Sequence, residues 1–100
     1  MNYGHHADGN RRLAILKILL EEAGTSNASV IDTALREIGH RAGLERNVVH
    51  RLITDLEERD CVTTQMVRDT VKLVTITPRG RMAVRGDVVI EGIASPHHGL

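Results

Sequence analysis

The stretch GHRAGLERNVVHRL, residues 39–52, places two glycines four apart and follows them with Val48, Val49 and Leu52 at helical spacing. Around them stand Arg41, Arg46, Asn47, His50 and Arg51. A turn therefore leads straight into a helix that is apolar on one side and basic and polar on the other. Gly43 can take a positive φ without steric cost, which a tight turn between two helices requires. Gly39 supplies a small residue where two steeply crossed helices would bring their backbones together. Leu44, Val49 and Leu52 would fill the angle between them.

Working outward, the third helix of the chain is predicted from about Arg46 to Arg59. On a helical wheel Val48, Val49, Leu52, Ile53 and Leu56 fall within about 140° of arc, and Asn47, His50, Arg51 and Thr54 lie opposite. Upstream, Val30, Ala34, Ile38 and Ala42, with Ile31 and Leu35, predict a second helix. Ser29 with Asp32 resembles its capping box, and TSNAS, residues 25–29, reads as a loop. The first helix is predicted from Arg11 to Ala23 on the recurrence of Leu13, Leu16, Leu20 and Ala23, with Asp8 or Asn10 as cap and Gly24 as stop. Ile15, Ile18 and Leu19 widen its apolar arc beyond one core-facing stripe. Either a partner subunit or a returning C-terminal segment must cover them, and a dimer contact is the simpler expectation.

Downstream, the β-branched stretches CVTTQMV and TVKLVTIT flank Arg68 and Asp69, which predicts a two-stranded ribbon with a charged tip. Thr77 and Pro78 read as N-cap and first position of a short fourth helix that runs to about Val84, before Gly86. Residues 87–100, DVVIEGIASPHHGL, stay ambiguous between strand and helix, since a short apolar run has no decisive period. The organisation expected is a flexible segment at 1–9, one domain at 10–86, and a C-terminal segment at 87–100 that forms a strand or a dimer contact.

This order makes the fold class mainly α with a small β-ribbon: a winged helix-turn-helix, with a three-helix core, a two-stranded wing and a short fourth helix. Here the chain resembles winged helix transcriptional regulators, most of all the MarR-like group. EIGHRAGLERNVVHRLITDLEERDCV looks like that group's helix-turn-helix, which ends in Leu, acidic residues, a turn and a strand start. TITPRGR resembles its step from wing to helix. The resemblance covers roughly residues 30–85. Asp60 stands where relatives commonly have Gly, and Asp can enter the left-handed region. The long dimerising helices of that group are absent.

With 41% apolar and 26% charged residues the chain is globular in composition. No apolar run approaches the roughly 20 residues that span a bilayer, so no membrane role is expected. The first ten residues lack the apolar middle of a secretory signal, and a cytoplasmic location is the expectation. The single Cys61, in an apolar context, reads as a buried structural thiol.

Thirteen basic residues balance thirteen acidic ones, so distribution carries the argument about partners. Residues 36–54 hold four arginines against two glutamates, four minus two, or +2. Residues 68–85 hold five basic residues against Asp69, five minus one, or +4. Asp55, Glu57, Glu58 and Asp60 collect between them. Eleven of the thirteen cations are arginines, whose planar donor fork suits phosphate and guanine edges. Tyr3 is the single aromatic residue, which argues against single-stranded nucleic acid, because its binders stack bases on aromatic rings.

The resemblance implies double-stranded DNA as partner, bound by a homodimer. It implies base contacts from Arg46, Asn47, His50, Arg51 and Thr54, and phosphate contacts from Arg41, Arg68 and Lys72. An alternative is a protein interaction module that uses the wide apolar arc of the first helix. The terminal pairs His5–His6 and His97–His98 stand beside no metal-ligand spacing, so no metal or other cofactor is expected. With no phosphate loop, nucleophile elbow or paired-carboxylate motif, neither is catalysis.

Overall fold

The computed structural model describes residues 3–96, with side chains from residue 7 onward. Its elements run α1 (Tyr3–Glu21), β1 (Thr25–Asn27), α2 (Ala28–Glu37), α3 (Arg46–Glu58), β2 (Val62–Val67), β3 (Val71–Ile76) and α4 (Pro78–Arg85). This is a winged helix-turn-helix.

Helix α1 begins at Tyr3 rather than Arg11, so residues 3–9 form its opening turns instead of a flexible lead-in. The reason is tertiary. Gly9 accepts a hydrogen bond from the Ala94 amide at 3.1 Å, and Asp8 pairs with Arg51 at 3.3 Å. At the other end Gly24, with φ of 96°, donates its amide to Leu19 at 2.7 Å and stops the helix as predicted.

Two corrections concern the segment that follows. Residues Thr25–Asn27 are not loop but a short strand paired antiparallel with β3, with Thr25 opposite Thr75 and Asn27 opposite Leu73. The sheet therefore has three strands, in the order β1-β3-β2, rather than two. Three residues are too few to show a period, yet they satisfy the second edge of β3. The cap of α2 is also Asn27, not Ser29 with Asp32: its Oδ1 accepts the Val30 amide at 2.9 Å.

Helix α3 and the wing fall where predicted. The Asp60 backbone takes φ of 60° after α3, the left-handed turn anticipated for it. At the wing tip Arg68 and Asp69 both have positive φ, and Thr70 donates its amide to Val67 at 3.1 Å, closing a tight hairpin. Thr77 caps α4 by accepting the Gly80 amide at 3.1 Å, with Pro78 at the first position and Gly86 left-handed beyond the end.

The core gathers Ile15, Leu16 and Leu19 of α1, Ile31 and Leu35 of α2, and Leu52, Ile53 and Leu56 of α3. Leu44 and Val49 fill the angle between α2 and α3 as expected. Helix α1 packs against α2, α3, α4 and β3 together. The dimer contact expected of Ile15, Ile18 and Leu19 is thereby corrected: their exposures in one chain are 0%, 6% and 0%. A helix surrounded on several sides needs an apolar arc wider than one stripe. Residues 87–96 form no strand. They cross back over the domain, with Ile90 and Ile93 in the core, Glu91 accepting from Arg59 at 2.8 Å and Gly92 from Arg12 at 2.7 Å.

The two glycines of the turn serve one need rather than two. Gly39 and Gly43 have φ of 102° and 66°, and a Cβ at either would meet nothing within 4 Å. Gly39 is thus a backbone requirement, not the close helix crossing expected of it. Gly43→Ala is expected to cost about 1 to 2 kcal/mol, and Gly43→Asn less, because Asn tolerates the left-handed region. Urea unfolding of the two variants measures the difference, and equal midpoints would remove the argument.

Candidate nucleic-acid interface

Between α2 and α3 the chain turns through residues 38–45, whose carbonyls have no ladder to join. Arginines supply the donors. Arg41 Nε donates to the Arg36 carbonyl at 2.9 Å, the Arg36 guanidinium reaches the Leu44 carbonyl, and the Arg11 guanidinium reaches the Ala42 carbonyl. Arg36 also pairs with Asp32 one helical turn back. Arg41, expected on a phosphate, is therefore partly occupied by the turn but keeps an exposed side chain with further donors. Beside this brace, burial and the nearby Arg11 guanidinium hold the His40 imidazole below its ordinary pKa.

The outer face of α3 starts at Glu45, an N-cap without a side-chain hydrogen bond. Arg46, Asn47, Arg51 and Thr54 are exposed on it, and His50 is half-buried. Their surroundings differ. Arg46 and His50 line an open groove of about 700 Å³ with Lys72 of the wing, so α3 and the sheet share one wall-to-wall surface. Asn47 stands outside that groove, as does Thr54, whose hydroxyl donates to the His50 carbonyl of its own helix at 3.1 Å. Arg51 lies within 3.3 Å of Asp8 and 3.5 Å of Asp55. Both are long, exposed pairs that contribute little and can be exchanged for a polyanion. Arg68 occupies the hairpin tip, exposed, apart from the groove.

The sequence reading missed Arg12. It is 8% exposed and grips Asp55 Oδ2 through Nε at 3.1 Å and Nη2 at 2.7 Å, while Nη1 holds the Gly92 carbonyl. One guanidinium thus joins α1, α3 and the C-terminal crossing. The signal was present only as a charged residue at the edge of an apolar helix arc, which side chains of this length commonly reach out of. At the far end of α3, Glu57 accepts from Thr64 of β2 at 2.7 Å, so this carboxylate is held by the wing, away from the basic start of the helix.

Cys61 is fully buried, and burial pushes its thiol pKa up, as a structural cysteine requires. Among the described residues no group of three His, Cys, Asp or Glu could hold a metal ion. The side chains of His5 and His6, and residues 97 and 98, lie outside the described residues. Nor is any described helix long and apolar enough to cross a membrane.

A turn of fixed left-handed glycines, a helix with a free basic and polar face, and a hairpin beside it are the parts of a DNA-reading unit. In comparison with known families, residues 10–65 match the IclR helix-turn-helix domain. The chain belongs to this family. The match runs from α1 through the helix-turn-helix into β2, so it includes every residue proposed on α3. The resemblance to regulators of the MarR-like group holds at the level of the winged helix-turn-helix, and the type that matches is IclR. The chain is also 32% identical over 87 residues to "Uncharacterized protein gp26" of Escherichia phage Mu, covering 87% of this chain and 88% of that one. No solved structure matches it. An IclR helix-turn-helix is a DNA-binding regulatory domain.

Proposed function

We propose that the chain binds duplex DNA with sequence selectivity, as a transcriptional regulator, placing the start of α3 in the major groove. The observation that carries this reading is the family match over the helix-turn-helix, together with the exposed Arg46 and Asn47 at the first turn of α3. Arg can take guanine O6 and N7 together and Asn adenine N6 and N7, each good pair discriminating by roughly 1 to 3 kcal/mol. His50, Arg51 and Thr54 extend the same face, with Arg51 leaving its carboxylates for the DNA. Arg41, Arg68 and Lys72 neutralise phosphates on either side.

A homodimer is part of the proposal, because one recognition helix reads only a half-site, and two-fold partners read two about one helical turn apart. Its surface is not the Ile15, Ile18 and Leu19 arc, which the chain covers itself. The same burial withdraws the surface on which an interaction-module reading rested.

The test is a fluorescence titration of duplex DNA, including sequence flanking the protein's own gene, at several salt concentrations. Affinity should fall with salt at a slope of about −0.9 per phosphate neutralised, and the slope should double between a monomer and a dimer of known solution mass. Arg46→Ala should weaken the preferred site by about 1 to 3 kcal/mol and flatten discrimination at one base position. Absence of salt-dependent affinity for every duplex sinks the reading.

A further inference from the structure

Among the described residues, Arg51 is the one cation proposed for DNA that already stands in an ion pair. Its Nη2 lies 3.3 Å from Asp8 Oδ2, across from α3 to α1, and its Nη1 lies 3.5 Å from Asp55 Oδ2 on its own helix. The two carboxylates are not equivalent. Asp55 Oδ2 also accepts from Nε and Nη2 of buried Arg12, so Asp55 stays neutralised when Arg51 leaves it. Asp8 has no second partner among the described residues. Nor can it withdraw far, because the turn of α1 that carries it is pinned where the Gly9 carbonyl accepts the Ala94 amide at 3.1 Å. An Arg51 that turns to a duplex therefore leaves an unpaired carboxylate beside a polyanion. Before that move, Arg12, Arg51, Asp8 and Asp55 form a cluster of two positive and two negative groups with no net charge. Arg51 thus adds little to the field an approaching duplex feels, unlike Arg46, which has no ion pair among the described residues.

We infer that Asp8 is a positioning residue that restrains DNA binding: it holds Arg51 back against α1 and competes with the duplex for its guanidinium. This rests on the DNA reading above. Two effects act in one direction. The ion pair must be broken before Arg51 can reach a base or phosphate, and the carboxylate left behind repels the phosphates that come near it. Both apply to any duplex, so the restraint lowers affinity for preferred and unrelated sequences alike. A carboxylate on α1 therefore opposes an arginine on α3, and the length of α1 beyond its sequence-predicted start at Arg11 is what brings the two together.

The experiment titrates labelled duplex DNA with the intact parent chain and with Asp8→Asn, at low and moderate salt, with melting temperatures measured in parallel. At low salt Asp8→Asn should bind every duplex about 3- to 10-fold more tightly, and the gain should shrink as salt screens the charge. Asp8→Glu, which keeps the charge, should bind nearly as the parent does. In an Arg51→Gln background the same Asp8→Asn substitution should gain clearly less, since only the repulsion remains. A merely structural Asp8 would shift the melting temperature without this dependence on Arg51. A parent that binds and an Asp8→Asn chain that binds no tighter overturns the restraint alone, as does a gain of equal size with and without Arg51. If neither chain binds any duplex, the DNA reading fails and the restraint falls with it.

Discussion

Asp55→Ala lowers the stability of the domain by about 3 to 5 kcal/mol, the usual cost of leaving one partner of a buried ion pair alone. Asp55 and Arg12 are 18% and 10% exposed at their side chains, and they are joined by two hydrogen bonds to a single carboxylate oxygen. Without the carboxylate, Arg12 keeps the Gly92 carbonyl but retains a desolvated charge between α1 and α3. Asp55→Asn should lie between, since it preserves shape and one acceptor but not charge. For a domain of this size each kcal/mol moves the melting temperature by roughly 4 to 8 °C, so calorimetry resolves the series. The double variant Arg12→Met, Asp55→Leu should recover most of the loss, because paired apolar replacements avoid the stranded charge. A melting temperature for Asp55→Ala within a degree or so of the parent would falsify the assignment. Arg51, exposed and loosely paired with the same Asp55, should show little stability effect when replaced, which separates the structural arginine from the one proposed for DNA.

Gly80→Ala is the second large effect, and its sign runs against local propensity. Inside a helix, Ala in place of Gly ordinarily stabilises by roughly 0.5 to 1 kcal/mol. Here the added Cβ would land on the Cys61 carbonyl oxygen and stand 2.7 Å from Ile76 Cγ1. The carbonyl is backbone held in place, since it accepts the Thr77 amide at 2.9 Å, so α4 must move away from the sheet. Overpacking of this kind costs about 1 to 3 kcal/mol, which exceeds the propensity gain. Denaturant unfolding of Gly80→Ala against the parent measures it, and a variant more stable than the parent would sink the close-approach argument. Because α4 packs on α1 and β3, the displacement should reach the wing as well.

These two residues mark where reading the chain as a string stops. Gly80 sits in TPRGR, a helix start that the Thr-Pro pair announces by itself, yet nothing local tells that its missing side chain admits the carbonyl of Cys61, far back in sequence. Gly39 shows the opposite case: its place between two helices suggests a close approach, and it stands instead in open space with positive φ. Both functions of glycine produce the same letter. Arg12, Arg36 and Arg11 look like solvated or phosphate-binding cations, and spend their donors on Asp55 and on turn carbonyls. Of the residues proposed for DNA, the exposed positions on α3 follow from the helical wheel alone. That Arg46 and His50 share a groove with Lys72 does not, because it depends on how the sheet folds against the helix.

What the amino-acid order determined alone is whatever a single turn or a single period encodes. That covers the span of α3 and its two faces, the hairpin with its charged tip, the Thr77–Pro78 helix start, the left-handed positions at Gly43 and Asp60, and the winged helix-turn-helix they add up to. Tertiary structure decided the pairing of Thr25–Asn27 with β3, the early start of α1, the burial of Ile15, Ile18 and Leu19 within one chain, and the return of residues 87–96 across the domain. The physical reason is common to all four. Each depends on free energy gained between residues far apart in the chain, where an unpaired strand edge, an uncovered apolar arc or a desolvated guanidinium finds its partner, and no local period records which partner that is.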